Sequence, residues 1–328
     1  MNLEPTAAAP NSNLWFGTAM HYALEDYHGH NEFGKPMEAL VHFPERWLEA
    51  SDQPLPDDTY DLLELGDKML KYYMLWDKQN GREYKTWWYE GEPQVEITFS
   101  IDMKTRRGRR FQYSGRFDRI VKDPMGALWI QDYKTAKRLP SKTYLQIDAQ
   151  AGAYAWAARR IFGVHFEGVI FTHLLKQVAK GPKFKPGFVS VNKAQKTSGI
   201  LYKKAMRRAF PDNIVPEKVL DFYNGLLERE DTYGDPFVNV TQVRKTPEAL
   251  KNEEKKILLE SGDMLNPRLV IYPNPTWTCV WDCPFMNACL EMDDGQDIDE
   301  ILEAEFQVRP PRPEAWFKEE AFVWQDSH

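Results

Sequence analysis

A chain of 328 residues is long enough to bury one large core or two modest ones. With 42% hydrophobic and 13% aromatic residues it reads as a folded globular protein, which excludes a disordered chain. The net charge of -7 does not favour a nucleic-acid partner by itself, but basic residues cluster at Lys104 to Arg110 (KTRRGRR), Lys176 to Lys185, Lys203-Lys204 and Arg207-Arg208, and binding depends on local potential. Glu291 to Glu305 carries only acidic charges. No apolar run is long enough to cross a bilayer, and Met1-Asn2-Leu3-Glu4-Pro5 lacks the basic and apolar regions of a signal peptide. A cytoplasmic protein with no membrane partner is expected.

In chain order, residues 14–28 carry apolar residues at helical spacing, with Gly29 as the stop. A second helix is expected from Asp57 to Trp76, where Leu62, Leu63, Leu65, Met69, Leu70 and Tyr73 form one stripe. Three strands follow. Val95 to Ile101 alternates apolar and polar residues, and the others run from Phe111 to Val121 and from Ala127 to Thr135, joined by the turn Lys122-Asp123-Pro124-Met125-Gly126. Residues 143–162 read as a helix ended by Gly163, and Gly168 to Leu175 as a strand buried on both faces. The segment from about 195 to 262 reads as mostly helical, and the tail from Arg309 as irregular.

The central hairpin carries the chemistry. Closing it symmetrically about Met125 places Asp118 opposite Asp132, with Lys134 on the same face as Asp132. Closing the preceding hairpin about Arg107, beside Gly108, adds Glu96 to the row. Like charges directly opposite on a sheet, about 5 Å apart, are destabilising unless a cation lies between them or one is protonated. Carboxylates with a main-chain carbonyl make a hard oxygen site of the kind that Mg²⁺ or Mn²⁺ prefers. A metal there would polarise a phosphodiester and activate water, and the Lys134 ammonium would orient that water or stabilise charge on phosphorus. Both registers depend on loops that slip easily, and a one-residue slip would flip the faces. Asp132-x-Lys134 alone recurs by chance.

The three cysteines, Cys279, Cys283 and Cys289, fall within eleven residues. An odd, clustered set reads as ligands and not as a disulfide framework. With no fourth cysteine in the chain, a complete Cys₄ site is impossible within it.

With its flanks, the hairpin resembles the RecB-type exonuclease branch of the PD-(D/E)XK nuclease superfamily. The matching runs are Gly17-Thr18-Ala19-Met20-His21-Tyr22-Ala23-Leu24-Glu25, Gly115-Arg116-Phe117-Asp118-Arg119-Ile120, Trp129-Ile130-Gln131-Asp132-Tyr133-Lys134-Thr135 and Gln150-Ala151-Gly152-Ala153-Tyr154. The resemblance implies an α/β restriction-endonuclease-like core of order α-β-β-β-α-β, a mixed sheet flanked by helices, over residues 1–190. A mostly helical extension ending in the three-cysteine segment (191–308) and an irregular tail (309–328) complete the chain. It also implies that His21, Asp118, Asp132 and the Tyr133 carbonyl hold Mg²⁺ or Mn²⁺, that Lys134 is the catalytic lysine, and that Glu96 is the family's upstream acid. Gln150 and Tyr154, at i and i+4 on one helical face, would act together toward the site or the DNA. Many relatives hold a [4Fe-4S] cluster with C-terminal cysteines like Cys279, Cys283 and Cys289, and for this incomplete set three alternatives stay open: an iron–sulfur cluster with a non-cysteine or external ligand, a zinc site completed by a histidine or acid, or a degenerate remnant. His28, His30 and Asp282 are the candidates for completing such a site.

The expected function is a metal-dependent DNA nuclease, an exonuclease or end-processing enzyme for single strands or duplex ends in recombination, repair or phage DNA metabolism. Its size is most similar to phage-encoded and CRISPR-adaptation members, and a phage-encoded protein would act in the host cytoplasm. No Gly-x4-Gly-Lys-Ser/Thr motif is present, so a helicase would be a partner. The alternatives are a non-catalytic module that binds DNA or a recombination partner, and a metal-cluster protein centred on the cysteines.

Overall fold

The computed structural model describes residues 3–5, 11–29, 35–51, 53–80, 84–269, 276, 279, 283–308 and 322–324. Three helices lead in: α1 (Ser12–His28), α2 (Pro36–Ala50) and α3 (Thr59–Asn80). Strands β1 (Val95–Lys104), β2 (Arg110–Lys122) and β3 (Leu128–Ala136) form the expected meander. Helices α4 (Lys142–Ile147) and α5 (Ala149–Phe162) then carry the chain to β4 (Phe166–Leu175). Beyond these lie α6 (Gly199–Ala209), α7 (Glu217–Tyr233), β5 (Val238–Arg244), α8 (Pro247–Met264), α9 (Met286–Asp293), α10 (Asp299–Glu305) and the short strand β6 (Phe322–Trp324).

The main sheet has the order β5-β4-β3-β2-β1-β6, with Lys85–Thr86 also pairing with β2. β3–β4 and β1–β6 are parallel and the other pairs antiparallel. This is the mixed, helix-flanked α-β-β-β-α-β arrangement that the resemblance implies. The parallel β3–β4 pair needs a crossover, which α4 and α5 supply.

Each face of the sheet has its own core. On one side Trp15, Phe16, Met20, Leu40, Leu70 and Tyr73 from α1–α3 pack with Tyr133 and Leu174. On the other, Ala151, Ala155 and Trp156 of α5 and Leu250 and Ile257 of α8 pack on Phe99, Phe117, Ile130 and Phe171. A fully buried side chain such as Phe16 or Met20 contributes roughly 1.5–3 kcal/mol, so α1 is fixed firmly by its inward stripe.

Several elements differ from expectation. Helix α2 was not foreseen; it contains Pro44, which reads as a breaker in sequence. The helix expected over 143–162 is split at Asp148, whose carboxylate accepts from the Gln150 N–H at 2.8 Å and starts α5 afresh. The segment expected to be mostly helical contains β5, which pairs with β4 along its whole length. The tail expected to be irregular contributes β6, while residues 309–321 and 325–328 lie outside the described residues.

At Gly168 (φ +156°) an added Cβ would lie 2.0 Å from the Val243 carbonyl oxygen and 3.0 Å from the Arg244 Cα, both backbone atoms of β5. Gly168→Ala is therefore expected to lose at least about 1–3 kcal/mol of stability. Urea unfolding followed by circular dichroism checks this; a wild-type midpoint would show that β5 is not held against Gly168.

Candidate metal centre and active site

The hairpin registers are those expected. β2 and β3 pair Lys122↔Leu128 through Arg119↔Gln131, so the closure is centred on Met125. β1 and β2 pair Lys104↔Arg110 through Val95↔Arg119, centred on Arg107. Direct apposition of Asp118 and Asp132, however, does not occur. The β2–β3 ladder stops one position short of them, and the Asp118 Oδ2 instead accepts a hydrogen bond from the Tyr133 N–H at 2.7 Å. The strands fork there, and the fork relieves the repulsion that a closed ladder would impose on the two acids.

Glu96 is likewise missing from the ladder, between Val95↔Arg119 and Ile97↔Phe117, and has a left-handed φ of +49°. Such a conformation costs a non-glycine residue about 1–3 kcal/mol, and residues that keep it cluster at functional sites. The buried Glu96 carboxylate lies 3.4 Å from the His21 Nδ1 through Oε1 and 2.8 Å from the Arg116 Nε through Oε2. Arg116 was not singled out from sequence; its only signal was its place in the Gly115–Ile120 run.

Helix α1 delivers His21 from its half-exposed flank, with Nδ1 also 3.4 Å from the Asp118 Oδ2. Burial would lower the His21 pKa, but Asp118, Glu96 and Asp132 together push it up to about 9. Asp132, 1% exposed, is pushed up to about 7, first by burial and then by Asp118. The Lys134 Nζ lies 3.1 Å from its Oδ1 and 3.0 Å from its Oδ2. Burial acts against the charged form of Lys134, but Asp132 and Asp118 outweigh it and hold the ammonium above the ordinary lysine value.

Gln150 and Tyr154 sit in the first turns of α5 and reach the same region. The Tyr154 ring packs edge-on against Phe117 at 5.4 Å. Its hydroxyl is held above the ordinary tyrosine value by burial and then by Asp118 and Asp132, while a hydrogen bond from the Gln150 side chain acts the other way. Both residues also line a groove of about 590 Å³ between β2 and α8.

Two further features escaped the sequence reading. His173 on β4 is the register partner of Lys134 and is buried; burial and the Lys134 charge push its pKa down to about 4, so it stays neutral. Behind the site, buried Arg119 donates to Gln131 Oε1 (3.0 Å), Thr86 Oγ1 (2.9 Å) and the Tyr133 hydroxyl (3.3 Å). The Tyr133 hydroxyl also meets His28 Nε2 at 2.9 Å and the Tyr73 hydroxyl at 3.2 Å. This network fixes the residue between Asp132 and Lys134.

The donors fit a hard divalent cation. Ligand atoms of His21, Glu96 and Asp118 lie within 4.8 Å of one another, the one such His/Cys/Asp/Glu group among the described residues. Asp132 stands outside that group, turned to Lys134, with its backbone neighbour Tyr133 hydrogen-bonded to Asp118. Buried carboxylates this close are the chemistry of an Mg²⁺ or Mn²⁺ site, and one imidazole is compatible with Mn²⁺.

The cysteines do not form a comparable group among the described residues. All three are half-buried thiols outside any disulfide, and Cys279 Sγ accepts from the Thr276 N–H at 3.3 Å. That bond holds the Cys279 thiol below its ordinary pKa. His28 cannot serve them, because its ring lies in the Tyr73–Tyr133 network. His30 and Asp282 lie outside the described residues.

Residues 1–290 match the profile of the PD-(D/E)XK nuclease superfamily. No curated protein gives a significant match. Among solved structures, one titled "Crystal structure of SSO0001" is similar at 12% identity over 83% of each chain, with a TM-score of 0.32.

The two raised pKa values fix a sign for stability. Asp132, raised from 3.8 to about 7, contributes stability that is full below about pH 4 and lost as pH rises through 7. His21, raised from 6.5 to about 9, contributes stability that is full below about pH 6.5 and lost as pH rises through 9. With chelator present, the melting temperature is therefore expected to fall between pH 5 and pH 9. Asp132→Asn should melt a few degrees higher than wild type at pH 8, and Mn²⁺ should stabilise the wild type there by mass action. Scanning calorimetry reads all three; a flat profile with no Mn²⁺ effect would contradict the metal-site reading.

Proposed function

The chain belongs to the PD-(D/E)XK nuclease superfamily, and on that premise we propose that it is a metal-dependent DNA nuclease working at the fork of β2 and β3. The observation that carries this reading is the buried acid pair Asp118 and Asp132 with Lys134 bound to Asp132 and still 39% exposed. Asp118, Asp132 and His21, with the Tyr133 carbonyl, would hold the cation, and Glu96 is placed to join them. When bound, the cation supplies Lewis-acid polarisation of the phosphodiester and activation of water.

The protein's own groups do the rest. The Lys134 ammonium, fixed by Asp132, presents positive charge where negative charge builds on phosphorus. Tyr154 and Gln150 offer hydroxyl and amide groups beside Asp118 and Asp132. The Tyr133 N–H holds the Asp118 carboxylate in one orientation, so one oxygen stays directed into the site.

We further propose action on DNA ends or single strands, as an exonuclease or end-processing enzyme. Support comes from the resemblance of the Gln150–Tyr154 and Gly17–Glu25 runs to the RecB-type branch.

End-labelled single- and double-stranded DNA incubated with Mg²⁺, Mn²⁺ or EDTA tests both levels. Cleavage is expected with either metal and none with EDTA. Lys134→Ala and Asp132→Asn should each slow it roughly 100-fold or more. Folded protein that cleaves no substrate under any metal would sink the proposal; internal nicking of circular DNA at equal rate would sink only the end-dependent part.

A further inference from the structure

We propose that Arg116 takes a backbone phosphate of the substrate strand, and that Glu96 withholds it until a divalent cation engages that acid. The inference rests on the nuclease reading for its substrate class, and on the geometry of β1 and β2 for the residues.

Arg116 stands two positions before Asp118 on β2, and its side chain is 38% exposed. Among the described residues its side chain pairs with Glu96, with Nε 2.8 Å from Oε2. A guanidinium offers five donors in a planar fork that matches a phosphate, and the Glu96 contact is an ion pair by distance in which Oε2 accepts no hydrogen bond. Lys134, a further cation of the site, is bound to Asp132.

Glu96 joins two roles. Its Oε1 faces His21 within the group whose ligand atoms lie within 4.8 Å, while its Oε2 faces Arg116. A cation bound by that group draws on the same carboxylate charge that holds Arg116. The left-handed backbone at Glu96 is strain of the kind that is kept at functional sites. What the conformation does is set one buried acid between a metal-ligating histidine and an exposed arginine.

The consequence is a thermodynamic coupling: cation binding loosens Arg116 for phosphate, and phosphate on Arg116 frees Glu96 for the cation, by the same factor in both directions. Metal-free protein would bind DNA weakly even though its site is otherwise assembled.

The test is binding, not turnover. Affinity for a fluorescent single-stranded oligonucleotide is measured in EDTA at fixed salt for wild type, Glu96→Gln, Arg116→Ala and the double variant. Glu96→Gln is expected to bind roughly 5-fold or more tightly than wild type. The double variant should lose that gain and bind like Arg116→Ala. Without DNA, Arg116→Ala should bind Mn²⁺ more tightly than wild type at pH 8 by calorimetry. If Arg116→Ala does not fold, Arg116→Lys replaces it, keeping the charge but not the fork, and should lose most of the Glu96→Gln gain.

A gain that persists in the double variant would reduce the effect to net charge and overturn the proposal. So would a Glu96→Gln affinity equal to wild type. Because no cleavage is required, failure of the nuclease reading shows separately as an inert protein with intact coupling.

Discussion

The structure turns on carboxylates buried beside one another at the point where β2 and β3 part. Asp118, Asp132 and Glu96 are all buried, and among the described residues His21, Arg116 and Lys134 stand against their charge. Taking carboxylates out of water is expensive, and a fold tolerates it where counter-charge or a metal compensates. Protonation and the three cations answer that cost in the metal-free protein. A divalent ion would answer it more completely, and would return Lys134 and Arg116 to the substrate.

The scaffold around the fork is rigid for reasons that can be followed residue by residue. Tyr133 lies between Asp132 and Lys134, with its side chain on the opposite face of the sheet, tied to Arg119, Tyr73 and His28. Its amide holds Asp118. One residue thus couples the buried polar network to the site. Helix α1 is pinned by Trp15, Phe16, Ala19 and Met20, which leaves His21 no choice but the flank facing Glu96 and Asp118. The Asp148 cap restarts the helix so that Gln150 and Tyr154 fall in its opening turns.

Much of this was legible in the sequence. The turns at Gly108 (φ +79°) and Gly126 (φ +83°) centre both hairpins, which is why registers counted from Arg107 and Met125 agree with the observed pairs. Proximity of Glu96, Asp118 and Asp132 followed from that counting. The fork did not, because register says which residues are level and not whether the strands remain bonded. The left-handed turn at Glu96 was hidden for the same reason. Helix α2 was masked by Pro44, and β5 by its short alternating run between two helices. Arg116 and His173 matter through tertiary neighbours, which residue type alone does not reveal.

Whether the fork is a cation site is best settled by locating the ion. Crystals of the protein grown with Mn²⁺ and measured at a wavelength that excites manganese should show anomalous density bounded by Asp118, Asp132 and His21, and none in Asp118→Asn. Density elsewhere, or an equal peak in the variant, would contradict the assignment of these buried acids as metal ligands.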